Sequence, residues 1–207
     1  GGDERTVRLF GGGTRPLREV VAGHTLYLEE YDLEPGDVVS YYARAADGTT
    51  EPVLSDMYFL QVRPFGMEFR EGEAPQGGGG PQGEGGADSE LSEQQRQVIS
   101  ATFNLRRDRT RYSPEEFRQG AVTIGLAQER LLEQVNTLLE RMGNRGVVAM
   151  DEGFQRVAKS LPAAMDEMRT VREALGEQDL DAALPPAQRA LQHLLRAEEA
   201  YREVTVT

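Results

Sequence analysis

Hydrophobic positions along this chain follow two different periods, one on each side of a polar stretch. Between residues 33 and 63, apolar and polar side chains alternate, as in strands that bury one face. From residue 91 onward, apolar side chains recur every three or four positions, as in amphipathic helices. The pattern therefore predicts an α+β protein made of two units, with strands in residues 1–70 and helices in residues 89–207.

Residues 71–88, between the two units, read as a flexible linker. They hold four consecutive glycines, two prolines and four acidic residues, and no apolar side chain larger than proline. Such a segment cannot bury enough surface to offset the entropy lost on ordering it. We expect a disordered tether that proteases cleave first.

Four short strands are predicted in the first unit. They are Arg5–Phe10, His24–Glu30, Val39–Ala45 and Ser55–Arg63, with turns at Pro35-Gly36 and Asp47-Gly48. The side chains expected to face the interior are Leu26, Leu28, Val39, Tyr41, Ala43, Ala45, Tyr58, Leu60 and Val62, and Gln61 is expected to face outward.

A Leu-x-Pro-Gly turn, a tyrosine-bearing strand and a closing strand resemble the second half of an immunoglobulin or fibronectin type III sandwich. The position of the corner tyrosine is held by Val39, which has no hydroxyl to form the corner hydrogen bond. Such a sandwich needs about seven strands, and the sequence supplies about four. We therefore predict a partial Ig-like sheet in which Leu26, Leu28, Tyr41 and Leu60 are only partly buried.

The second unit is predicted to be an antiparallel bundle of about four helices. The first begins at Ser89 or Ser92, the second begins at Ser113-Pro114 and ends at Gly143-Asn144, the third continues through a kink near Pro162 to Gly176, and the last is broken or bent at Pro185-Pro186. The second helix carries a seam of Phe117, Ala121, Ile124, Gln128, Leu131, Val135, Leu138 and Met142. The third carries Phe154, Val157, Leu161, Ala164, Met168, Val171 and Leu175.

Charge and cysteine content exclude several classes of function. The net charge is −12, which disfavours nucleic acid as a partner. The only basic cluster, Arg106, Arg107, Arg109 and Arg111, is interpreted as a solvated helix end. Cysteine is absent, which excludes disulfides and thiol catalysis. The sequence contains no run of about 18 apolar residues that would span a membrane.

No catalytic constellation can be assembled from the sequence. The two histidines, His24 and His193, fall in different units, and the glycines at 77–80 lack the strand and helix that a phosphate loop needs. Glu129, Glu133 and Glu140 lack the histidines of di-iron bundles. We predict that the chain is not an enzyme, and we assign no catalytic, cofactor-binding or metal residue.

Two groups of residues leave an alternative function open. The acidic corner of Glu29, Glu30, Asp32, Glu34 and Asp37 is interpreted as a solvated rim, with calcium binding as the alternative. Tyr27, Tyr42 and Phe59, if they face outward, would form an aromatic platform for carbohydrate. The alternative to a structural module is thus a carbohydrate- or calcium-binding accessory module.

Three segments together carry a resemblance to a family. Residues 33–45 (Leu-x-Pro-Gly-Asp-x-Val-x-Tyr-Tyr-Ala-Arg-Ala), residues 55–65 and residues 95–105, with the Gly/Gln-rich spacer, resemble an uncharacterised family of large bacterial envelope proteins. That resemblance implies membrane helices near an N-terminus outside this chain, Ig-like extracytoplasmic segments and a helical tail. The predicted function is a non-enzymatic structural or protein-interaction module of the cell envelope. Its protein partner and its oligomeric state are not specified.

Overall fold

The computed structural model describes residues 5–11, 19–46, 51–62, 85–144 and 152–205. Most of the predicted linker and the Asp47-Gly48 turn lie outside the described residues. The remaining linker positions, from Gly85 onward, already belong to the first helix.

The prediction of four helices is confirmed. They are α1 (Gly85–Arg107), α2 (Pro114–Asn144), α3 (Glu152–Gly176) and α4 (Leu180–Thr205), with short 3-10 turns at Leu28–Tyr31 and Arg109–Arg111. The predicted start of the first helix is wrong, because α1 begins at Gly85 and Ser92 lies buried inside it. A buried serine within a helix does not cap the helix N-terminus.

The helix start predicted at Ser113-Pro114 is confirmed, and Ser113 and Glu116 form a capping box there. The backbone N–H and the hydroxyl of Ser113 donate to the Glu116 carboxylate at 2.8 and 2.7 Å, and the Glu116 N–H donates to the Ser113 hydroxyl at 3.3 Å. These bonds satisfy backbone donors that have no partner inside the helix.

A tight connection joins α3 to α4. The N–H groups of Gln178 and Asp179 donate to the carbonyls of Leu175 and Ala174 at 3.1 and 2.9 Å, and Gln178 has a φ of 61°. This is a Schellman ending in which Gln178, rather than Gly176, takes the left-handed position. The Asp179 carboxylate then caps α4 by accepting from the Ala182 N–H at 2.9 Å.

Of the break or bend expected at Pro185-Pro186, the break is absent, because α4 continues through both prolines. Two prolines remove the donors for the carbonyls of Asp181 and Ala182. Both of these residues are exposed, so solvent can satisfy their carbonyls. The single helix predicted across Pro162 is confirmed in α3.

The helices form a ring of antiparallel neighbours, in which α1 contacts α2 and α4, and α3 contacts the same two helices. Arg106 at the end of α1 bonds Asp181 near the start of α4, while Gln95 at the middle of α1 bonds the carbonyl of Ala187, further along α4. Both predicted seams face the interior, with only Leu138 and Phe154 less than fully buried. No described helix is long and apolar enough to cross a membrane.

A polar pair divides the bundle interior into two apolar clusters. Gln128 donates to Gln95 at 3.0 Å, and Gln95 donates to the Ala187 carbonyl at 3.1 Å. Both side chains have no exposed surface. One apolar cluster contains Ile99, Ile124 and Leu191, and the other contains Leu91, Leu131 and Leu194.

The β region consists of β1 (Val38–Tyr41), β2 (Arg44–Ala45), β3 (Val53–Leu54) and β4 (Tyr58–Gln61). Strand β1 pairs antiparallel with β4, and β2 pairs antiparallel with β3. The strands predicted at Arg5–Phe10 and His24–Glu30 are wrong, since neither range pairs within the described residues. Alternation alone does not supply the neighbour that a strand needs. The Ig-like architecture stays a prediction.

The β1–β4 sheet lies with the opposite face inward from the one predicted. Val38 and Phe59 pack against the bundle core, together with Leu54 and Met57. Tyr41 and Tyr58, which were expected inside, are each 52% exposed. The face was assigned for a sandwich partner, but the helices cover the other side. The expected partial burial is confirmed for Leu26, Leu28 and Leu60, which are half-buried, but it is wrong for Tyr41, which is exposed.

Candidate functional site

The Pro35-Gly36 turn sets the position of the residue that follows it. The Asp37 N–H donates to the Glu34 carbonyl at 2.9 Å, and Gly36 has a φ of 90°, as in a type II turn. Gly36 and Asp37 then both face Val62, because the Gly36 N–H donates to the Val62 carbonyl at 3.0 Å and the Val62 N–H donates to the Asp37 carbonyl at 2.9 Å. This is a glycine bulge, and it re-aims the Asp37 side chain.

The Asp37 carboxylate points at α4 and is buried there. One oxygen accepts from the Glu34 N–H at 2.9 Å, and the other accepts from Gln192 and from Arg196, each at 2.8 Å. Burial alone would raise the pKa of Asp37, but these hydrogen bonds and the Arg196 charge together lower that pKa below its usual value. Asp37 is therefore held as a charged anchor between the β region and the bundle.

A polar stripe on α4 contacts the β region. Gln188, Gln192 and Arg196 are four residues apart and share one face of the helix. Gln188 donates to the Ser40 hydroxyl at 2.9 Å, one helical turn before the Gln192 contact with Asp37. We call Asp37, Ser40 and these three α4 residues the α4 clamp.

Residues of β4 and of the segments beside the strands contact α1. Arg107 pairs with Asp56 at 2.7 Å, and Arg96 donates to the Gln61 side chain at 3.3 Å. The rings of Tyr42 and Phe103 lie 5.0 Å apart. The β region thus lies across α1 and α4, with β1 over α4 and β4 over α1.

A cleft of about 560 Å³ opens between β4 and α1. We call it the edge cleft; its lining comprises Met57, Tyr58, Phe59, Gln61, Glu93, Arg96, Gln97 and Ser100. Among the described strands, β4 pairs with β1 alone. One edge of β4 therefore faces this cleft rather than another strand.

An aromatic pair stands on the outer face of the same sheet. The rings of Tyr41 and Tyr58 stack at 5.6 Å with 25° between their planes. These two tyrosines are directly opposite in the β1–β4 register. The sheet therefore presents a small flat aromatic surface away from the bundle.

The acidic residues predicted as a calcium alternative do not converge. Glu29, Glu30, Asp32 and Glu34 are exposed, whereas Asp37 belongs to the α4 clamp. Among the described residues, no group of three or more acidic or histidine side chains is arranged to hold a metal ion.

The three aromatic residues proposed as a platform do not share a face. Tyr27 is exposed, Tyr42 lies on Phe103, and Phe59 packs against the bundle core. The exposed aromatic pair is instead Tyr41 and Tyr58.

The basic cluster lies around the end of α1, where it was expected. Arg106 pairs with Asp181 at 2.9 Å, Arg107 pairs with Asp108 at 2.9 Å and Arg111 pairs with Asp108 at 3.4 Å. Arg109 lies over the Phe117 ring at 4.2 Å. The cluster lies at a helix end, as interpreted, but it is not simply solvated, because these contacts join its charges to neighbouring residues.

The remaining candidates stay apart. Glu129 pairs with Arg172 at 3.2 Å, Glu140 accepts from Asn136 at 2.8 Å, and Glu133 is exposed. His24 is exposed in the β region, and His193 is half-buried on α4. Burial lowers the pKa of His193, and the nearby charges of Arg196 and Arg189 lower it further, against an opposing effect of Glu167.

Sequence reasoning missed both the α4 clamp and the edge cleft. A signal for the clamp was present, because Gln188, Gln192 and Arg196 form a polar stripe beside the apolar face of α4. No comparable signal identified the free edge, because strand pairing depends on which elements meet in the fold.

Comparison of the chain with known protein families, with curated proteins and with solved structures finds no match.

Proposed function

We propose that the chain is a non-enzymatic protein-interaction module, in which the helical bundle holds the β region and presents its β4 edge to a partner. The observation that carries this proposal is the edge cleft, where an unpaired strand edge among the described strands lies beside a polar helix face. Proteins commonly cover, shorten or charge such edges, and several recognition domains use them for binding.

The α4 clamp supports the same proposal, since it holds the β region in one position on the bundle. Asp37 is 7% exposed and is bonded to two side chains of α4. A small β region of short strands is unstable alone, and its attachment to a bundle makes it a rigid binding surface.

The cellular setting is part of the proposal and rests on the resemblance of residues 33–45, 55–65 and 95–105. That resemblance implies a module outside the cytoplasm of a bacterium, tethered through membrane segments outside this chain. The partner in this setting is another protein, and nucleic acid is disfavoured by the net charge of −12.

Photocrosslinking in the source cells tests the interaction function. A benzophenone amino acid at Gln97, within the edge cleft, should give a discrete adduct with another protein. The same group at Leu126, an exposed position on α2, is the control and should give none. Absence of an adduct from Gln97, or equal adducts from both positions, would contradict the proposal.

The stacked tyrosines favour one second candidate, a carbohydrate-binding accessory module. Sugar rings pack on flat exposed aromatic faces, and Tyr41 and Tyr58 provide one. Binding on a glycan array that disappears in Tyr41→Ala, a position outside the edge-cleft lining, while the crosslink from Gln97 is unchanged, would establish this second function. Absence of glycan binding by the unmodified chain would remove it.

A further inference from the structure

We infer that the edge cleft binds an extended, basic peptide segment of a partner protein, which adds as a strand to β4. This inference rests on the proposed interaction function and specifies the kind of partner. Three observations support it: the backbone groups of β4 that point away from β1, the side chains of α1 opposite them, and the charge of the chain.

The β1–β4 register shows which backbone groups face the cleft. Val62 exchanges backbone hydrogen bonds with Gly36 and Asp37, just before β1. In the same register Leu60 opposes Val39 and Tyr58 opposes Tyr41, at steps of two residues from Val62, so these pairs are hydrogen-bonded as well. In an antiparallel ladder, successive residues direct their N–H and C=O groups to opposite sides. The backbone groups of Phe59 and Gln61 therefore point away from β1, toward the edge cleft.

The helix wall of the cleft suits a peptide backbone. Glu93, Arg96, Gln97 and Ser100 recur on one face of α1 and supply polar side chains. Arg96 bonds Glu93 at 3.1 Å and Gln61 at 3.3 Å through its terminal nitrogens. The Gln97 side chain in the same lining is exposed, and its amide can both donate to and accept from the backbone of an added strand.

The charge of the whole chain, rather than that of the cleft lining, in which Glu93 and Arg96 pair with each other, favours a different partner over a second copy. Two chains that each carry a charge of −12 repel one another as their edges approach. A segment rich in lysine or arginine is attracted by the same field, which speeds association. The inferred occupant is therefore a basic extended segment from another protein.

Two variants at position 61 test strand addition, because both remove the glutamine side chain and only one removes the backbone N–H. Gln61→Pro removes the N–H that faces the cleft, while the ladder to β1 uses Leu60 and Val62. Gln61→Thr removes the same side chain but keeps the N–H, so it is the matched control. Gln97→Trp fills the cleft from α1 without changing the strand, and it keeps the test valid if the proline variant does not fold.

The probe is a phage-displayed library of random peptides of about 12 residues, long enough for a typical strand. Selection on the whole chain should enrich basic peptides with alternating side chains. Gln61→Pro and Gln97→Trp should weaken their binding about tenfold, the equivalent of one backbone hydrogen bond, and Gln61→Thr less than about threefold. Amide exchange at Phe59 and Gln61 should slow when a peptide is bound.

Several results would overturn the inference. These are the absence of enriched peptides, binding that is insensitive to both Gln61→Pro and Gln97→Trp, and amides of Phe59 and Gln61 that are already protected in the free chain. Concentration-dependent dimerisation that Gln61→Pro abolishes would identify a second copy as the occupant instead. A Gln97 crosslink in cells that persists in Gln61→Pro would leave the interaction function intact while excluding strand addition.

Discussion

Asp37 and Arg196 are joined by a 2.8 Å ion pair although they lie 159 residues apart in the sequence. Asp37 comes from the turn that begins β1, and Arg196 comes from the last helix. The pair therefore fixes the β region on the bundle, and the presentation of the β4 edge depends on it.

Gly36→Ala should destabilise this attachment. Gly36 has a φ of 90°, and an added Cβ would lie 3.4 Å from the Arg196 backbone. Alanine in such a conformation costs about 1–2 kcal/mol. Gly23→Ala is the control, because nothing lies within 4 Å of a Cβ there. Urea unfolding of both variants measures the difference, and equal stabilities would show that the turn geometry is wrong.

The Gln95–Gln128 pair should show strong non-additivity. Each single change to leucine leaves a buried amide without its partner, at a cost of about 1–3 kcal/mol. The double variant removes both amides and should be close to the stability of the original protein or above it. Chemical denaturation of the four proteins gives the coupling, and additive losses would argue against a bonded pair.

The lowered pKa of Asp37 makes the attachment sensitive to acid. Its contribution to stability is complete above the ordinary pKa of 3.8 and is lost as pH falls through the lower folded value. Stability should therefore fall below about pH 4, and Asp37→Asn should reduce this loss. Val53→Thr, an exposed change that removes no titrating group, is the control and should leave the pH profile unchanged. Urea midpoints between pH 7 and pH 2.5 would measure both effects.

His193 should contribute in a higher pH range. Its lowered pKa means that the neutral form stabilises the fold fully above 6.5, and that this stabilisation is lost as pH falls below 6.5 through the folded value. His193→Gln should flatten the stability profile between about pH 6.5 and pH 5. An unchanged slope in that range would mean that His193 is as solvated in the fold as in the unfolded chain.

The helical half was largely predictable because its signals are local. The Ser113–Glu116 capping box and the seam through Leu131 depend on spacing along one helix. The location of α1 was less predictable, since Ser92 matches a cap yet is buried in the helix interior.

The β half was less predictable because its burial is decided by distant residues. Alternation shows that Tyr58 and Phe59 face opposite ways, but it does not say which face meets a helix. The contacts of Phe59 with the bundle core settle that question. Likewise, nothing adjacent to Asp37 indicates that a carboxylate in an acidic turn is the one that binds α4.

The α2 seam can be tested by placing a charge in it. Leu131 is 1% exposed, so Leu131→Asp buries an unpaired carboxylate and should cost about 3 kcal/mol or more. Glu133→Ala, on the exposed face of the same helix, should change stability by less than about 0.5 kcal/mol. Thermal unfolding, monitored by far-UV circular dichroism, compares the two variants. Similar losses of stability would contradict the assigned helix face.

A double-mutant cycle of Asp37→Asn and Arg196→Met tests the attachment of the β region most directly. Asparagine keeps the shape of Asp37, and methionine keeps much of the apolar stem of Arg196, so the cycle isolates their interaction. The exposed pair Glu129–Arg172 serves as the control, with an expected coupling below about 0.5 kcal/mol. For Asp37–Arg196, a coupling of about 1–2 kcal/mol is predicted. A value no larger than that of the control pair would contradict a β region held on α4 by Asp37.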